Sequence, residues 1–288
     1  MLYLLLGKSP RSLATAPFRA EDLFGRDETV LNRNVWIPPC MDAFVGADIT
    51  AAVLASGMCH DDQISLLCDI GTNGELALWK DNTLYVTSTA AGPALEGAQI
   101  TCGGCSVPGA IDKVWVEDGK IRFHTIGDLP AVGICGSGLI DAIAVFLETE
   151  DIDETGAMEK DKLPIGDSVA LYPKDIRSVQ VAKAAIAAGI ETLLEQAGIR
   201  VDAVQKFYLA GNFGSHLNIE SAVRIGLIPQ KLRDRVVILG NAALAGTTMM
   251  LQHKDLQAEA QQIAGRAVSV NLGGNSVFNE NFIECMLF

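Results

Sequence analysis

An aspartate, two glycines and two small polar residues stand together in Asp69-Ile70-Gly71-Thr72-Asn73-Gly74-Glu75, between strand-forming runs at 64–70 and 75–80. Such a reversal lets backbone N–H groups approach an anion closely, because neither Gly71 nor Gly74 carries a Cβ. Thr72 and Asn73 add side-chain donors, and Asp69 can hold a magnesium ion through a bound water. The chemistry that suits these residues is phosphate recognition. Glu75 either meets water or metal at the end of the turn or stands as a solvated strand-edge carboxylate. Taken alone, the pattern is more often a plain hairpin, so its meaning rests on what else the chain carries.

Three other segments carry compatible chemistry. In Phe207-Tyr208-Leu209-Ala210-Gly211-Asn212-Phe213-Gly214-Ser215 an apolar strand breaks into a glycine turn. Bare backbone at Gly211 and Gly214 allows a flat base to lie against it, with Asn212 near a ribose; as a plain fold feature it is a tight strand-to-helix turn. Gly136-Ser137-Gly138 opens a predicted helix, whose free N–H groups favour an anion or whose glycines let it pack closely on a sheet. Asp48, early in another predicted helix, either positions an attacking water or metal or caps that helix after Gly46. Cys102-Gly103-Gly104-Cys105 has the spacing of a redox or metal pair, but no second pair or adjacent His completes a zinc set, and loop thiols are the favoured reading. His60, His124, His216 and His253 stand outside any Ser/His/Asp or HExxH arrangement, so hydrolytic nucleophile chemistry lacks support.

The elements that must position these groups can be read from periodicity and turn residues. An apolar element at 1–6, a loop at 19–33 and a strand at 35–37 stopped by Pro38-Pro39 precede a helix at 47–55 with Gly57 as its C-cap. Strands at 64–70, 75–80 and 83–89 follow as a meander turned at Gly74 and Asp81-Asn82. A second hairpin, 113–117 and 120–125, turns at Asp118-Gly119 and reads as an insertion on the core. The helix from 136 to about 148 buries Leu139, Ile143, Val145, Phe146 and Leu147. Residues 149–175 mix acids, Gly and Pro as a surface loop. A long helix at 176–197, a strand at 206–210, a short helix at 219–225, a strand at 236–239 and helices at 241–252 and 256–265 come next, with closing strands at 268–272 and 278–286. Trp36, Trp79 and Trp115 fall on strands, as packing residues. Three antiparallel strands before a helix suit a ribonuclease H-like α/β unit, a mixed sheet flanked by helices.

Composition bounds the function. A chain of 288 residues that is 49% hydrophobic can bury a sizeable core, as one large or two ordinary domains. A net charge of −13 without a Lys/Arg cluster leaves no source of counterion release, which argues against a nucleic-acid partner. Seven scattered cysteines, an odd number, fit reduced thiols in a cytoplasm, and no structural disulfide is expected. Residues 1–6 are too short for a signal-peptide core and lack a basic leader, and the apolar stretch 132–147 is interrupted by small residues and Asp141, so no membrane anchor is expected.

Helix, acid–glycine hairpin and late strand–glycine turn, in that order, resemble the nucleotide-binding lobe of the acetate kinase, sugar kinase, heat-shock chaperone and actin superfamily. Segments 4–18, 45–48, 69–75, 90–98 and 133–141 are together most similar to the C-terminal domain of the reductive activators of corrinoid proteins. The resemblance implies an actin-type ATPase lobe in which Asp69, Thr72 and Asn73 meet the β- and γ-phosphates of ATP. Asp69 would be the magnesium ligand, Asp69 and Asp48 the catalytic acids, and Gly71, Gly74 and Glu75 the rest of the turn. Gly136, Ser137 and Gly138 match a third glycine cluster, and Gly211, Asn212 and Gly214 the adenosine turn, although many members have a second glycine where this chain has Asn212.

Members of that family couple ATP binding and hydrolysis to reducing a cobalt(II) corrinoid protein to the cobalt(I) state that accepts methyl groups, with the electron supplied by an iron–sulfur domain. The ferredoxin-like domain, the linker and a first actin-like lobe have no counterpart in this chain. Residues 1–60 are therefore expected to be a remnant of the first lobe with the connecting helix, and 61–288 the second lobe with a hairpin inserted near 112–126. No iron–sulfur cluster is expected here. The implied partners are a corrinoid protein and a separate iron–sulfur and first-lobe domain, with full activity not expected of this chain alone; a homodimer is left open. Two alternatives stand beside this reading: a small-molecule kinase of the same superfamily, which needs an acceptor pocket between two complete lobes, and a non-catalytic docking domain.

Overall fold

The computed structural model describes residues 26–30, 33–166 and 168–288. The predicted element at 1–6 and the first part of the loop at 19–33 lie outside them. Strands β1 (Arg26–Val30) and β2 (Arg33–Ile37) pair antiparallel, with Arg26 opposite Ile37. Residues 26–30 were expected in a loop, since Val30 is the sole aliphatic residue there and no alternation marks a strand; the partner strand supplies the missing order through its backbone. Helix α1 (Ala47–Ser56) ends at Gly57, whose φ of 66° makes it the left-handed C-cap that the sequence suggests.

The meander β3 (Ser65–Ile70), β4 (Gly74–Lys80) and β5 (Thr83–Thr89) forms in the expected order, and its register sets Asp69 opposite Glu75. A second sheet is built from β6 (Ala110–Glu117), β7 (Lys120–Thr125) and β8 (Gly133–Ile134). Its hairpin turns through Asp118 and Gly119, both at positive φ, as the primed hairpin turns demand. Helix α2 (Gly136–Glu148) then packs on β6. The segment expected to be an irregular surface loop holds a short pair, β9 (Leu163–Pro164) and β10 (Ala170–Leu171), and buries Ile152, Leu163, Ile165, Val169 and Leu171. Five apolar residues scattered among acids form no period, yet each has a place in the core.

Helix α3 (Pro173–Gln196) starts with Pro at its first position, where the missing N–H costs nothing. Its buried Asp175 accepts from Tyr172 N and from both N and Oγ1 of Thr101. The remaining elements are β11 (Lys206–Ala210), the single turn α4 (Gly211–Gly214), α5 (Ile219–Arg224), β12 (Val236–Gly240), α6 (Ala242–Gln252), α7 (Lys254–Gly265), β13 (Ala267–Ser269) and α8 (Ser276–Glu284). The first closing strand is shorter than expected. The second is a helix: Asn275 accepts from Phe278 N to cap it, and Phe278 and Phe282 meet at i,i+4 with ring centroids 6.0 Å apart. An apolar run of this length reads equally well as either element until α3 presents a helix face to it.

The main sheet has the order β12-β11-β3-β4-β5-β13, with β11 parallel to both β12 and β3, β4 antiparallel to its neighbours, and β13 parallel to β5. Alternate residues of its strands enter two cores. Leu66, Cys68, Leu76, Leu78, Phe207 and Leu209 face α2 and α3, whereas Leu67, Ala77, Trp79, Tyr208 and Ala210 face α1, α6 and α7. Covering both faces explains why β3 is buried almost throughout. Among the described residues no helix is long and apolar enough to cross a membrane.

On the second face α6 lies against α1 so closely that a Cβ at Gly246 would stand 1.9 Å from Ala51 O. Gly246→Val is expected to lower stability by about 1–3 kcal/mol, the usual cost of overpacking, read as a lower urea midpoint with unchanged slope.

Candidate functional site

The site begins with strand pairing. β3 and β11 run parallel with Ala210 opposite Asp69, so the turns that follow them leave the sheet side by side. Gly211 takes φ 86°, and a Cβ there would lie 2.4 Å from Asp69 Oδ1 and 3.3 Å from Ile70 O. Only glycine allows the second turn to sit this close to the carboxylate. The start of α2 closes the third side: a Cβ at Gly136 would fall 1.9 Å from Leu95 O and 2.7 Å from the Phe213 ring.

These three segments enclose a chamber of about 330 Å³ whose walls include Asp69, Gly71, Glu96, Ser137, Gly211 and Asn212. A larger chamber of about 830 Å³ shares Ser106, Ser137, Asn212 and His216 with it and is bounded by Asp112, Lys113, Asp141 and Asn218. Both volumes fall in the range of small-molecule sites, about 300–1,000 Å³. The N-terminus of α2 has no side-chain cap, and Ser137 donates its hydroxyl to Asp112 O at 3.0 Å. Gly136 and Ser137 therefore contribute backbone to both the fold and the chamber wall.

The structure thus gathers Asp69, Gly71, Gly136, Ser137, Gly211 and Asn212 on one concave surface and sets the other expected residues around it. Thr72 and Asn73 are exposed at the turn, where Gly71 N donates to Asn73 O at 2.9 Å. The Thr72 hydroxyl reaches both carboxylate oxygens of Glu96, at 3.2 Å each. Gly74 is buried, and a Cβ there would meet Thr89 Oγ1 at 2.8 Å and Ile186 Cγ1 at 2.9 Å; its lack of a side chain admits α3. Gly138 likewise admits β6, with Ile111 O 2.3 Å from the place of a Cβ. Gly214 is buried against Leu209. Asp48 lies in the first turn of α1, where Gly46 is the N-cap, and its Oδ1 accepts from Ile49 N at 2.9 Å.

Asp48, Asp69 and Glu75 nevertheless form one electrostatic group. Burial, and then the charge of Asp48, pushes the Asp69 carboxyl up to about 6. Burial, then Asp48 and Asp69, pushes Glu75 up to about 7, against a hydrogen bond from Asn73. Three mutually repelling carboxylates, of which Asp69 stands on the chamber wall, favour a cation or a shared proton. Among the described residues no three His, Cys, Asp or Glu side chains converge to hold a metal. Asp69 and Glu96 offer the oxygen donors that suit magnesium, which typically takes one or two carboxylates together with phosphate and water.

Sequence reasoning missed Glu96, Ser106, Asp112, Lys113, Phe213 and His216 as wall residues, because they come from four segments distant in sequence and form no local pattern. Asp141 did carry a signal, being an acid within an otherwise apolar helix. It is buried, accepts from Ser221 Oγ at 2.6 Å and Val114 N at 3.3 Å, and its carboxyl is pushed up by burial. In the Cys102–Cys105 segment packing requires the glycine at 103, since a Cβ there would lie 2.1 Å from Gly97 O.

A family model described as the C-terminal domain of RACo, the ASKHA domain, matches residues 63–288. The chain belongs to that family. The chain is 34% identical to the corrinoid activation enzyme RamQ of Eubacterium limosum, in a match covering all of this chain and 54% of that protein. It is 29% identical to the [Co(II) methylated amine-specific corrinoid protein] reductase of Methanosarcina barkeri, over 94% of this chain and 54% of the relative. The solved structure of a reductive activator for corrinoid,iron-sulfur protein superposes with a TM-score of 0.89 at 32% identity, over all of this chain and 51% of that one. The ASKHA domain and its flanking residues thus span about half the length of the curated relatives they match.

The raised carboxyls make the site pH-sensitive. Because the folded-state value of Glu75 lies above its ordinary 4.5, the cost of ionising it is absent below that pH and complete once pH exceeds about 7. Glu75→Gln is expected to raise the melting temperature at pH 8 and leave it unchanged near pH 4.5, by calorimetry at both pH values.

Proposed function

We propose that this ASKHA domain binds ATP with magnesium and serves a reductive activator, in which nucleotide binding and hydrolysis drive the reduction of a cobalt(II) corrinoid protein to cobalt(I). The observation that carries the reading is the meeting of Asp69-Ile70-Gly71, Gly136-Ser137 and Gly211-Asn212 around one chamber, with glycine at the points of closest approach. Backbone N–H groups of the hairpin turn and of the uncapped α2 N-terminus would receive phosphate oxygens. The larger chamber would receive the nucleoside against Asn212 and Asn218, with Lys113 the cation on its wall. A bound magnesium ion would neutralise phosphate charge, and Asp69 is the residue that would hold it, directly or through water. Asp48 and Glu75 would tune the charge around Asp69.

The names of the relatives support the corrinoid part of this reading, as does a likeness covering all of this chain. The electron would come from an iron–sulfur domain, with a first lobe completing the cleft. The domain reading follows: 1–60 as first-lobe remnant and connecting helix, 61–288 as nucleotide lobe with the hairpin near 112–126 inserted, and a cytoplasmic setting suited to free thiols such as Cys105.

Calorimetric titration with magnesium ATP tests the nucleotide reading. Saturable heat is expected for the unaltered chain, weakened at least about tenfold in Asp69→Ala, the effect of losing about 1.4 kcal/mol. Absence of saturable heat from the unaltered chain would sink it. Titration with a cobalt(II) corrinoid protein tests the partner; saturable binding is expected, and its absence with and without nucleotide removes corrinoid docking from this domain.

A further inference from the structure

The smaller chamber has a charge that a simple phosphate site would not have. Asp69 and Glu96 stand on its wall, and no Lys or Arg does. Glu96 belongs to the short turn Pro93–Glu96, whose Leu95 carbonyl abuts the start of α2. It therefore lies between the hairpin turn and the helix N-terminus, the two features that attract an anion. Its two carboxylate oxygens share the single hydroxyl proton of Thr72, and the carboxylate stands 3.7 Å from the place of a Cβ on Gly71. Thr72, a donor suited to phosphate, is thus engaged by an acid of the chain itself.

We propose that Glu96 is a specificity-determining residue that makes nucleotide binding depend on a divalent cation. The inference rests on the nucleotide reading given above. A bare polyphosphate entering this chamber meets two carboxylates with no Lys or Arg to offset them, His216 being the one basic side chain on the wall, and is repelled. A phosphate group carrying a hydrated divalent cation presents positive charge to the same oxygens and is accepted. Thr72 orients the Glu96 carboxylate toward the turn, and binding of the cation-loaded phosphate frees the Thr72 hydroxyl to turn from Glu96 to the ligand. Discrimination comes from the charge of Glu96 and not from its hydrogen bond with Thr72.

The test is calorimetric titration of the full chain with ATP in excess magnesium and with ATP in excess EDTA, for the unaltered protein, Glu96→Gln and Thr72→Val. Both replaced side chains are exposed, and thermal melts check that each variant folds. The unaltered chain is expected to bind the magnesium form far more tightly than the free nucleotide. Glu96→Gln is expected to narrow that preference about tenfold, mainly by tightening the cation-free form, as for removal of one charge in a partly screened site. Thr72→Val keeps the carboxylate and should keep most of the preference. An unchanged preference in Glu96→Gln, or equal weakening of both forms, overturns the role of Glu96 and leaves the nucleotide site standing. No binding of either form by the unaltered chain overturns both.

Discussion

The site depends on one close approach, the backbone of Gly211 against the carboxylate of Asp69. Parallel pairing of β3 and β11 aligns Asp69 with Ala210, and the next residue must turn away without pushing the acid aside. A side chain at that point would overlap Asp69 Oδ1. With glycine there, two chain reversals from different parts of the sequence share one rim. The chambers, the exposure of the hairpin turn and the position of α4 follow from that arrangement.

Similar approaches at other glycines place the walls. Gly136 lets α2 meet the carbonyl of Leu95, Gly138 lets the same helix ride on β6, and Gly74 makes room for Ile186 of α3. Helix α2 is thereby held between the main sheet and the smaller one, with its uncapped N-terminus aimed at the cavity. These contacts are backbone against backbone or against stiff side chains, so they tolerate little adjustment. Precision of this kind is what a site reading a ligand through main-chain N–H groups needs, because the main chain can only be as well placed as the elements it connects.

Electrostatics runs against stability in the same region. Asp69 and Glu75 are half-buried beside each other and beside Asp48, and burial holds both carboxyls well above their ordinary range. Conflicts of this type cluster where a protein binds charge, because a cation or proton supplied from outside resolves them. The two chambers differ accordingly: the smaller has acids and no Lys or Arg on its wall, and the larger adds Lys113.

Local chemistry alone determined much of this protein. The β3–β4–β5 meander, the Asp118-Gly119 hairpin, α1 with its Gly57 cap, α2 and β11 were all legible, because turn residues and side-chain periodicity act over a few positions. So were Asp69, Gly71, Gly136, Ser137, Gly211 and Asn212 as wall residues, since glycine beside a polar group at a strand or helix end already marks an unusual backbone. Tertiary structure decided the rest. Residues 276–284 form a helix because α3 offers them a face, and the acid-rich stretch after α2 contributes core residues because the surrounding helices leave places for them. The glycines of one motif divide between chamber and packing, and Glu96 enters the site, because what faces a residue across a gap is set by strands and helices distant in sequence. No local pattern encodes that distance.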